Sequence, residues 1–459
     1  MSAPQQEKPA ATEGTANTQA VGGGAGRPDG EPAWEAATAV VRVQRRTVRL
    51  LSAAQVIGGV GVGVASSLGS LLAEDVAQSE TYAGLARTAM TAGAALVGVP
   101  LAFLAQRRGR RASLSAGWLT AAIGGFILVG AAVVGSISLL ALGMLLFGIG
   151  SATNQQSRYA AADLAEPHRR ARALSVVVWS TTIGSVIGPN LADPGAAIAT
   201  TLHLPPLTGA FLLSSICMTA ASLLLWLWLR PDPLLLSRQR AQDEQARTGG
   251  PRSPAASASM TGTLRLVGAH LRRAPRAAFA FLAVVLAHTV MVAVMTMTPV
   301  SMARHGETLT VVGITISGHL LGMYAFSPVV GWLADRYGYL TTMLVGQAVF
   351  VASALLSGLS GGSVAMVMAG LFLLGLGWSF SLVAGSAMLS EATPAGLRPG
   401  MQGAADTAMN VVAAVGASLS GPLMSGTGFG GLNAFAGILV LPVVGFSFLL
   451  ARGGRRRTC

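Results

Sequence analysis

Apolar runs of about 20 residues alternate with short polar segments from residue 50 almost to the end of the chain. A helix of that length crosses the hydrocarbon core of a bilayer, where every backbone polar group must be bonded internally. The pattern therefore predicts twelve membrane-spanning helices, six in each half of the chain. We expect them near residues 50–72, 83–104, 112–134, 138–160, 173–192, 208–229, 278–300, 310–333, 341–360, 364–388, 402–424 and 430–451.

The segment Gly331–Gly338, Gly-Trp-Leu-Ala-Asp-Arg-Tyr-Gly, ends one of these runs. It predicts a tight, charged turn at the membrane surface, in which Asp335 can pair with a facing helix N-terminus or an arginine. Gly338 permits a sharp reversal. A related segment, 102–111, ends the second run, and its Gly109 lies 229 residues before Gly338. The candidate gating residues of the two segments are Gly331, Asp335, Arg336, Gly338, Gly109 and Arg110.

Two further glycine motifs recur at nearly the same spacing. Gly148-Ile149-Gly150 precedes Gly375-Leu376-Gly377 by 227 residues, and Gly188-Pro189 precedes Gly421-Pro422 by 233 residues. A nearly constant offset of this kind indicates a duplicated half in one membrane orientation.

The gating segment Gly331–Gly338 resembles the loop signature between the second and third helices of each half in the major facilitator superfamily. Gly184–Pro189 resembles the fifth-helix signature of the drug/proton antiporters of that superfamily, and the likeness extends from about Leu50 to Leu450. The resemblance implies an all-α membrane protein, with twelve helices in two pseudo-symmetric halves. It also implies alternating access to a site near the midplane.

Composition agrees with a membrane protein, since 52% of the residues are apolar and 11% are charged. The net charge of +13 comes from arginines in the short loops, so it reports topology and not a nucleic-acid site. These arginines fall on one side of the predicted helices, which places both termini in the cytoplasm. The predicted divisions are a disordered tail (1–46), a first half (47–229), a central cytoplasmic loop (230–276), a second half (277–451) and a basic tail (452–459).

The central loop contains two kinds of sequence. Residues 237–259 are rich in Gln, Arg, Ala, Pro and Ser and are predicted to be flexible. Residues 263–273 suit a basic amphipathic helix on anionic lipid, with Leu264, Val267 and Leu271 on its apolar face. A plain linker is the alternative.

The eleventh predicted helix carries the clearest candidate for function. Gln402, Asp406 and Asn410 are spaced by four residues, so they share one face. An ionisable group inside a membrane helix is costly and indicates a functional site. Asp406 is therefore a candidate carrier of a coupling proton. The alternative is a structural hydrogen bond or ion pair to the first half.

The fourth predicted helix offers the partner, with Asn154 and Arg158 on one stripe. In the proteins that the chain resembles, the aspartate of the first-half loop signature engages an arginine of this helix. Gln106 replaces that aspartate here. We therefore expect Asp406 to pair with Arg158 instead. By symmetry, we expect Asp335 to face the N-terminal end of the fifth helix, around residues 174–176.

His288 and His319 lie near the middles of the seventh and eighth predicted helices. Either can relay protons or bind a substrate, and a structural hydrogen bond between helices is the alternative. In the fifth helix, Gly184 and Gly188 permit close helix contact, and Pro189 bends the span.

The sequence lacks a phosphate-binding Gly-Lys-Ser/Thr loop, a Cys/His metal set and a nucleophile with a base. We therefore expect neither an enzyme nor a cofactor or metal. The predicted function is efflux of an organic small molecule or drug in exchange for protons, by a monomer in a bacterial cytoplasmic membrane. Proton-coupled uptake of a nutrient or metabolite is the alternative, and a non-transporting receptor or scaffold is a remote one.

Overall fold

The computed structural model describes residues 33–77, 83–248 and 259–447, and these residues are almost entirely helical. The helices are α1 (Ala33–Ala77), α2 (Ala83–Val134), α3 (Ile137–Ala162), α4 (Arg170–Ile187), α5 (Ala192–Thr201), α6 (Thr208–Trp228), α7 (Pro233–Thr248), α8 (Met260–Arg273), α9 (Pro275–Arg304), α10 (Leu309–Tyr324), α11 (Ser327–Tyr337), α12 (Tyr339–Gly358), α13 (Val364–Glu391) and α14 (Arg398–Ile438).

The twelve predicted crossings can be found in these helices. Within the described ranges, nine helical segments are long and apolar enough to cross a membrane. Two of them are interrupted by a non-helical glycine, α2 at Gly109 and α14 at Gly428, so each supplies two crossings. The bent pair α4 and α5, whose parts meet at 57°, supplies one more. The fold is thus all-α, with six crossings in each half.

Glycine permits the chain reversal at the matching place in each half. Gly109 and Gly338 have φ values of 86° and 88°, a region that side chains disfavour. The turn expected over Gly331–Gly338 is confined to Gly338, because α11 stays helical through Tyr337. The end of the bundle that carries Arg110, Arg169, Arg336 and Arg398 is called the arginine-rich end below.

The first helix begins earlier than the sequence predicts. α1 starts at Ala33, so residues 33–46, assigned above to a disordered tail, are helical. Hydrogen bonds to neighbouring helix ends hold this extension. Gln44 Nε2 donates to the carbonyl of Ala161 at 2.6 Å, and Arg46 Nη2 donates to that of Trp228 at 3.2 Å. The rest of that predicted tail and the basic tail 452–459 lie outside the described residues.

The predicted central loop contains two helices. α7 occupies 233–248, so residues 237–248 of the segment expected to be flexible are helical, while 249–258 lie outside the described residues. Asp232 begins α7 by accepting hydrogen bonds from the amides of Leu234 and Leu235 at 3.0 and 3.2 Å. Its other carboxylate oxygen accepts the amide of Arg111 at 2.8 Å, which docks α7 on the loop at Gly109.

α8 is the amphipathic helix that the sequence predicts, but its apolar residues divide between two environments. Thr263 and Val267 are buried, and Thr263 packs against Gly400 at the start of α14. Leu264 is exposed. His270 Nε2 lies 2.9 Å from the carbonyl oxygen of Ala392. The helix is therefore anchored to the second half, with only part of its apolar face free for lipid.

Candidate functional site

A buried ion pair joins the two halves. Arg158 on α3 donates from Nη2 to Asp406 Oδ1 on α14 at 2.7 Å, and the two side chains are 3% and 0% exposed. Since α3 belongs to the first half and α14 to the second, the pair bridges the halves. The contact expected from the sequence is confirmed, while its role in coupling stays a prediction.

Each member of this pair keeps one group without a hydrogen bond. Arg158 Nε donates to Ser386 Oγ at 3.2 Å, and its Nη2 also donates to the hydroxyl of Tyr159 at 3.1 Å. Among the described residues, nothing accepts a hydrogen bond from its Nη1. Asp406 Oδ2 is buried and likewise has no hydrogen-bond partner among them. A carboxylate oxygen without a donor is a suitable place for a proton.

The other two residues of the predicted α14 stripe do not complete this site. Asn410 Nδ2 donates to the backbone carbonyl of Asp406 at 2.8 Å, although the residue also borders the cavity described next. Gln402 is separate: its Oε1 accepts from Arg110, and its Nε2 donates to Ser390 Oγ at 3.1 Å. Gln402 is on the same helix face but belongs to a different contact, because it lies nearer the arginine-rich end by one helical turn from Asp406 and two from Asn410.

A cavity of about 290 Å³ lies between the halves beside the ion pair. Helices of the first half contribute three amides and four hydroxyl groups, and helices of the second half contribute three methionines and three aromatic rings. Arg158 lines it and is the one residue with a fixed charge among the described lining residues. The polar and aromatic groups that line it include Gln55, Asn154, Gln155, Thr181, His288, Tyr324, Trp378 and Asn410.

Three amide groups on the first-half wall are incompletely bonded. Gln55 Nε2 donates to Thr181 Oγ1 at 3.2 Å and to the carbonyl of Asn154 at 3.3 Å. Gln55 Oε1, Asn154 Nδ2 and Gln155 Oε1 are buried without a partner among the described residues. Buried polar atoms are normally bonded, so these atoms are positioned to meet a ligand or water. Gln55 was not among the site residues predicted from sequence, although an isolated glutamine in an apolar run indicates a polar contact inside the bundle.

The two predicted histidines have different surroundings. His288 lines the cavity, and its Nδ1 accepts from Trp378 Nε1 at 3.1 Å, so a proton on the neutral ring lies on Nε2. His319 is fully buried, and its Nδ1 lies 2.8 Å from the carbonyl of Leu371. His319 is absent from the lining residues, so it joins helices α10 and α13 instead.

A second buried ion pair lies nearer the arginine-rich end. Arg110 Nε donates to Asp163 Oδ2 at 2.8 Å and Nη2 donates to Oδ1 at 3.3 Å, with both side chains at most 2% exposed. Arg110 also donates to Gln402 of the second half. The loop that lacks the usual aspartate thus supplies a cation, and the fourth crossing supplies the carboxylate.

The second-half gating segment closes the same end. Asp335 accepts the amide hydrogens of Ala171 and Arg172 at 3.0 and 2.9 Å. This is the first turn of α4, about one turn before residues 174–176, because the helix begins at Arg170 and not near 173. A carboxylate at this position is stabilised by the helix dipole. Arg336 lies 5.8 Å over the ring of Trp332 and takes no part in this contact.

Close packing explains the glycines that occupy three other predicted positions. A Cβ at Gly331 would lie 2.2 Å from Ser175 Oγ, so no larger residue fits against α4. A Cβ at Gly188 would lie 2.6 Å from the Cα of Gly63 on α1, and one at Gly184 would meet Gly59 in the same way. Pro189 starts the short 3₁₀ turn between α4 and α5. Gly184 and Gly188 therefore pack within the first half, whereas Gly331 packs between the halves.

Comparison with known proteins agrees with this architecture. The family model of the Major Facilitator Superfamily matches residues 51–309 and 280–458. The chain belongs to the major facilitator superfamily. It is 34% identical over 412 residues to the uncharacterized MFS-type transporter YddS of Bacillus subtilis (strain 168), covering 88% of this chain and 91% of that protein.

One further relative and one solved structure of similar fold agree with this assignment. The riboflavin transporter RfnT of Brucella anthropi is 27% identical over 402 residues, covering 87% of this chain and 93% of that protein. The crystal structure of the human organic anion transporter MFSD10 is similar with a TM-score of 0.71 at 15% identity. The structural match covers 88% of this chain and 99% of the MFSD10 chain. This superfamily membership makes the chain a multi-pass membrane transporter of a small molecule.

Proposed function

We propose that the chain is a secondary transporter that couples the movement of an organic small molecule to protons by alternating access. The observation that carries the proposal is the Arg158–Asp406 pair, because it joins the halves and borders the central cavity. Protonation of Asp406 removes the negative charge of this ion pair. The pair then weakens, and the halves are free to separate at the arginine-rich end.

Three contacts between the halves support a closed arginine-rich end in this structure. They are the Arg158–Asp406 pair, the Arg110–Gln402 hydrogen bond and the Asp335 contact with α4. We propose that this is the outward-facing state, because loop arginines favour the cytoplasmic side. Both termini are then cytoplasmic, and the protein works as a monomer in a bacterial cytoplasmic membrane.

The lining of the cavity supports a neutral or anionic cargo over an organic cation. The described lining residues include the guanidinium group of Arg158 and no carboxylate. The unpartnered amide atoms favour a cargo with several hydrogen-bond donors and acceptors. The second-half wall, with Trp378, Tyr324 and three methionines, favours a flat aromatic body. A flavin-like heteroaromatic, the class to which the cargo named for RfnT belongs, combines these features.

We propose export in exchange for protons as the direction, following the resemblance of Gly184–Pro189 to the antiporter signature. Import together with protons is the second candidate. The free Nη1 of Arg158 favours it for an anionic cargo, since protonation of Asp406 leaves the arginine available to the anion. The two directions predict opposite responses to a pH gradient.

Everted membrane vesicles with an acidic interior test both directions. Cationic, neutral and anionic compounds, riboflavin among them, are added while the gradient is followed with a fluorescent dye. Dissipation by a compound, lost in Asp406→Asn and retained in Asp193→Asn, supports export. Asp193 is an exposed carboxylate and serves as the matched control. If no compound dissipates the gradient, counterflow in right-side-out vesicles separates import from a non-transporting role.

A further inference from the structure

A second cavity, of about 780 Å³, lies at the arginine-rich end and shares none of the described lining residues of the central cavity. It is a groove between the start of α1, the segment that follows α3, the start of α4 and α7. Its described lining residues all belong to the first half and to α7. We call it the α1–α4 groove.

The α1–α4 groove has a strong excess of positive charge. Five arginines line it, namely Arg45, Arg49, Arg169, Arg172 and Arg240, against one acidic residue, Glu166. Glu166 Oε2 lies 3.9 Å from Arg169 Nε. Among the described residues, the other four guanidinium groups have no hydrogen bond or ion pair. Such a cluster is self-repelling unless an anion neutralises it.

The wall of the same groove is apolar and lies where a helix enters the bilayer. Val40, Val41, Val48 and Val176 line it, and Val48 and Val176 follow Arg45 and Arg172 along α1 and α4, so these two lie deeper in the bundle. A soluble anion would gain nothing from these valines, whereas an acyl chain would bury them. Gln44 Oε1 in the groove is buried without a hydrogen-bond partner among the described residues, so it can accept from a glycerol hydroxyl.

We propose that the α1–α4 groove binds an anionic glycerophospholipid. The phosphate lies among Arg45, Arg49 and Arg240, and one acyl chain lies along Val48 and Val176 toward the membrane interior. Basic pockets between membrane helices at the cytoplasmic surface bind such headgroups for the same electrostatic reason. Arg172 also supplies an amide to Asp335, so an occupied groove ties α1 to the part of α4 that closes the arginine-rich end.

The test uses the purified full-length protein in a mild neutral detergent, titrated with palmitoyl-oleoyl phosphatidylglycerol and followed by native mass spectrometry. Palmitoyl-oleoyl phosphatidylcholine, dihexanoyl phosphatidylglycerol and inorganic phosphate are the comparison probes. The variant Arg45→Gln/Arg49→Gln/Arg240→Gln is expected to bind the long-chain anionic lipid at least about tenfold more weakly than the wild type. The control Arg265→Gln/Arg272→Gln/Arg273→Gln removes the same charge from exposed positions on α8 and is expected to change affinity by less than about threefold.

Three results would overturn the proposal. Equal losses in both triple variants would mean charge-driven binding without a site. Equal binding of phosphatidylcholine would remove the role of the arginines, and equal binding of inorganic phosphate would mean a soluble-anion site.

If the groove variant does not fold, a photoactivatable phosphatidylglycerol is applied to the wild type instead. Crosslinks in α1 and α4 support the groove, and crosslinks confined to α8 or the second half refute it.

Discussion

The Arg158–Asp406 pair makes a quantitative prediction about stability. Removing one partner of a buried ion pair costs about 3–5 kcal/mol, because the remaining charge is left without compensation. Arg158→Gln leaves Asp406, which is fully buried, with no charged partner, so this variant is expected near the upper value. Asp406→Asn should cost about 3 kcal/mol, since Ser386 and Tyr159 still accept from Arg158.

The double variant Arg158→Gln/Asp406→Asn replaces the charges with two amides. Its free energy of unfolding is expected to lie within about 2 kcal/mol of that of the wild type, so the losses of the two single variants are far from additive. The free energy of unfolding is measured by SDS titration in mixed micelles, followed by circular dichroism. Lower pH should reduce the cost of Arg158→Gln, because a protonated Asp406 carries no charge. Additive losses, or a cost of Arg158→Gln that is independent of pH, would refute this reasoning.

Three further predictions concern the ends and contacts of the bundle. Asp335→Asn removes the charge that binds two amides of α4 and should weaken the closed arginine-rich end by about 1 kcal/mol. The measurement is the rate of thiol labelling of a Ser175→Cys reporter on α4, which should increase. Gly188→Val places a side chain against the α1 backbone and should abolish folded protein in size-exclusion chromatography. Arg110→Gln leaves the Asp163 carboxylate buried and should destabilise the protein by about 3–5 kcal/mol, with recovery in the double variant that adds Asp163→Asn.

Matched substitutions separate these effects from general damage. Gly313→Val introduces the same side chain at a helical glycine with nothing within 4 Å of a Cβ, and it should fold normally. Asp193→Asn removes an exposed carboxylate and should leave the labelling rate unchanged. Normal folding of Gly188→Val, or unaltered labelling in Asp335→Asn, would contradict the corresponding contact.

The fold was predictable because the hydrophobic runs and glycine turns carry most of the information. A span needs about 20 apolar residues, and a reversal with positive φ needs glycine, so the sequence alone marks Gly109 and Gly338 as matching turns. The start of α1 was not predictable in this way. Residues 33–46 contain no apolar run long enough to span a membrane, and their helix is held by tertiary bonds such as Gln44 to Ala161.

The candidate site was predictable in part. Asp406 and Arg158 stand out because charges are rare in membrane helices, and replacement of the loop aspartate by Gln106 leaves them as partners. Spacing alone could not separate Gln402 from Asp406, because one helix face runs past several neighbours along its length. Gln55 was missed for a related reason: a single amide in an apolar run shows no direction until the helices are packed.

Proton movement in proteoliposomes tests the role of Asp406 most directly. The purified protein is reconstituted with a pH-sensitive dye inside, and a cargo found in the vesicle screen is added without an imposed gradient. We expect a cargo-dependent pH change with the wild type and with Asp193→Asn, and none with Asp406→Asn. The Asp406→Asn protein should still exchange labelled for unlabelled cargo. A full pH change with Asp406→Asn would show that this carboxylate does not carry the proton.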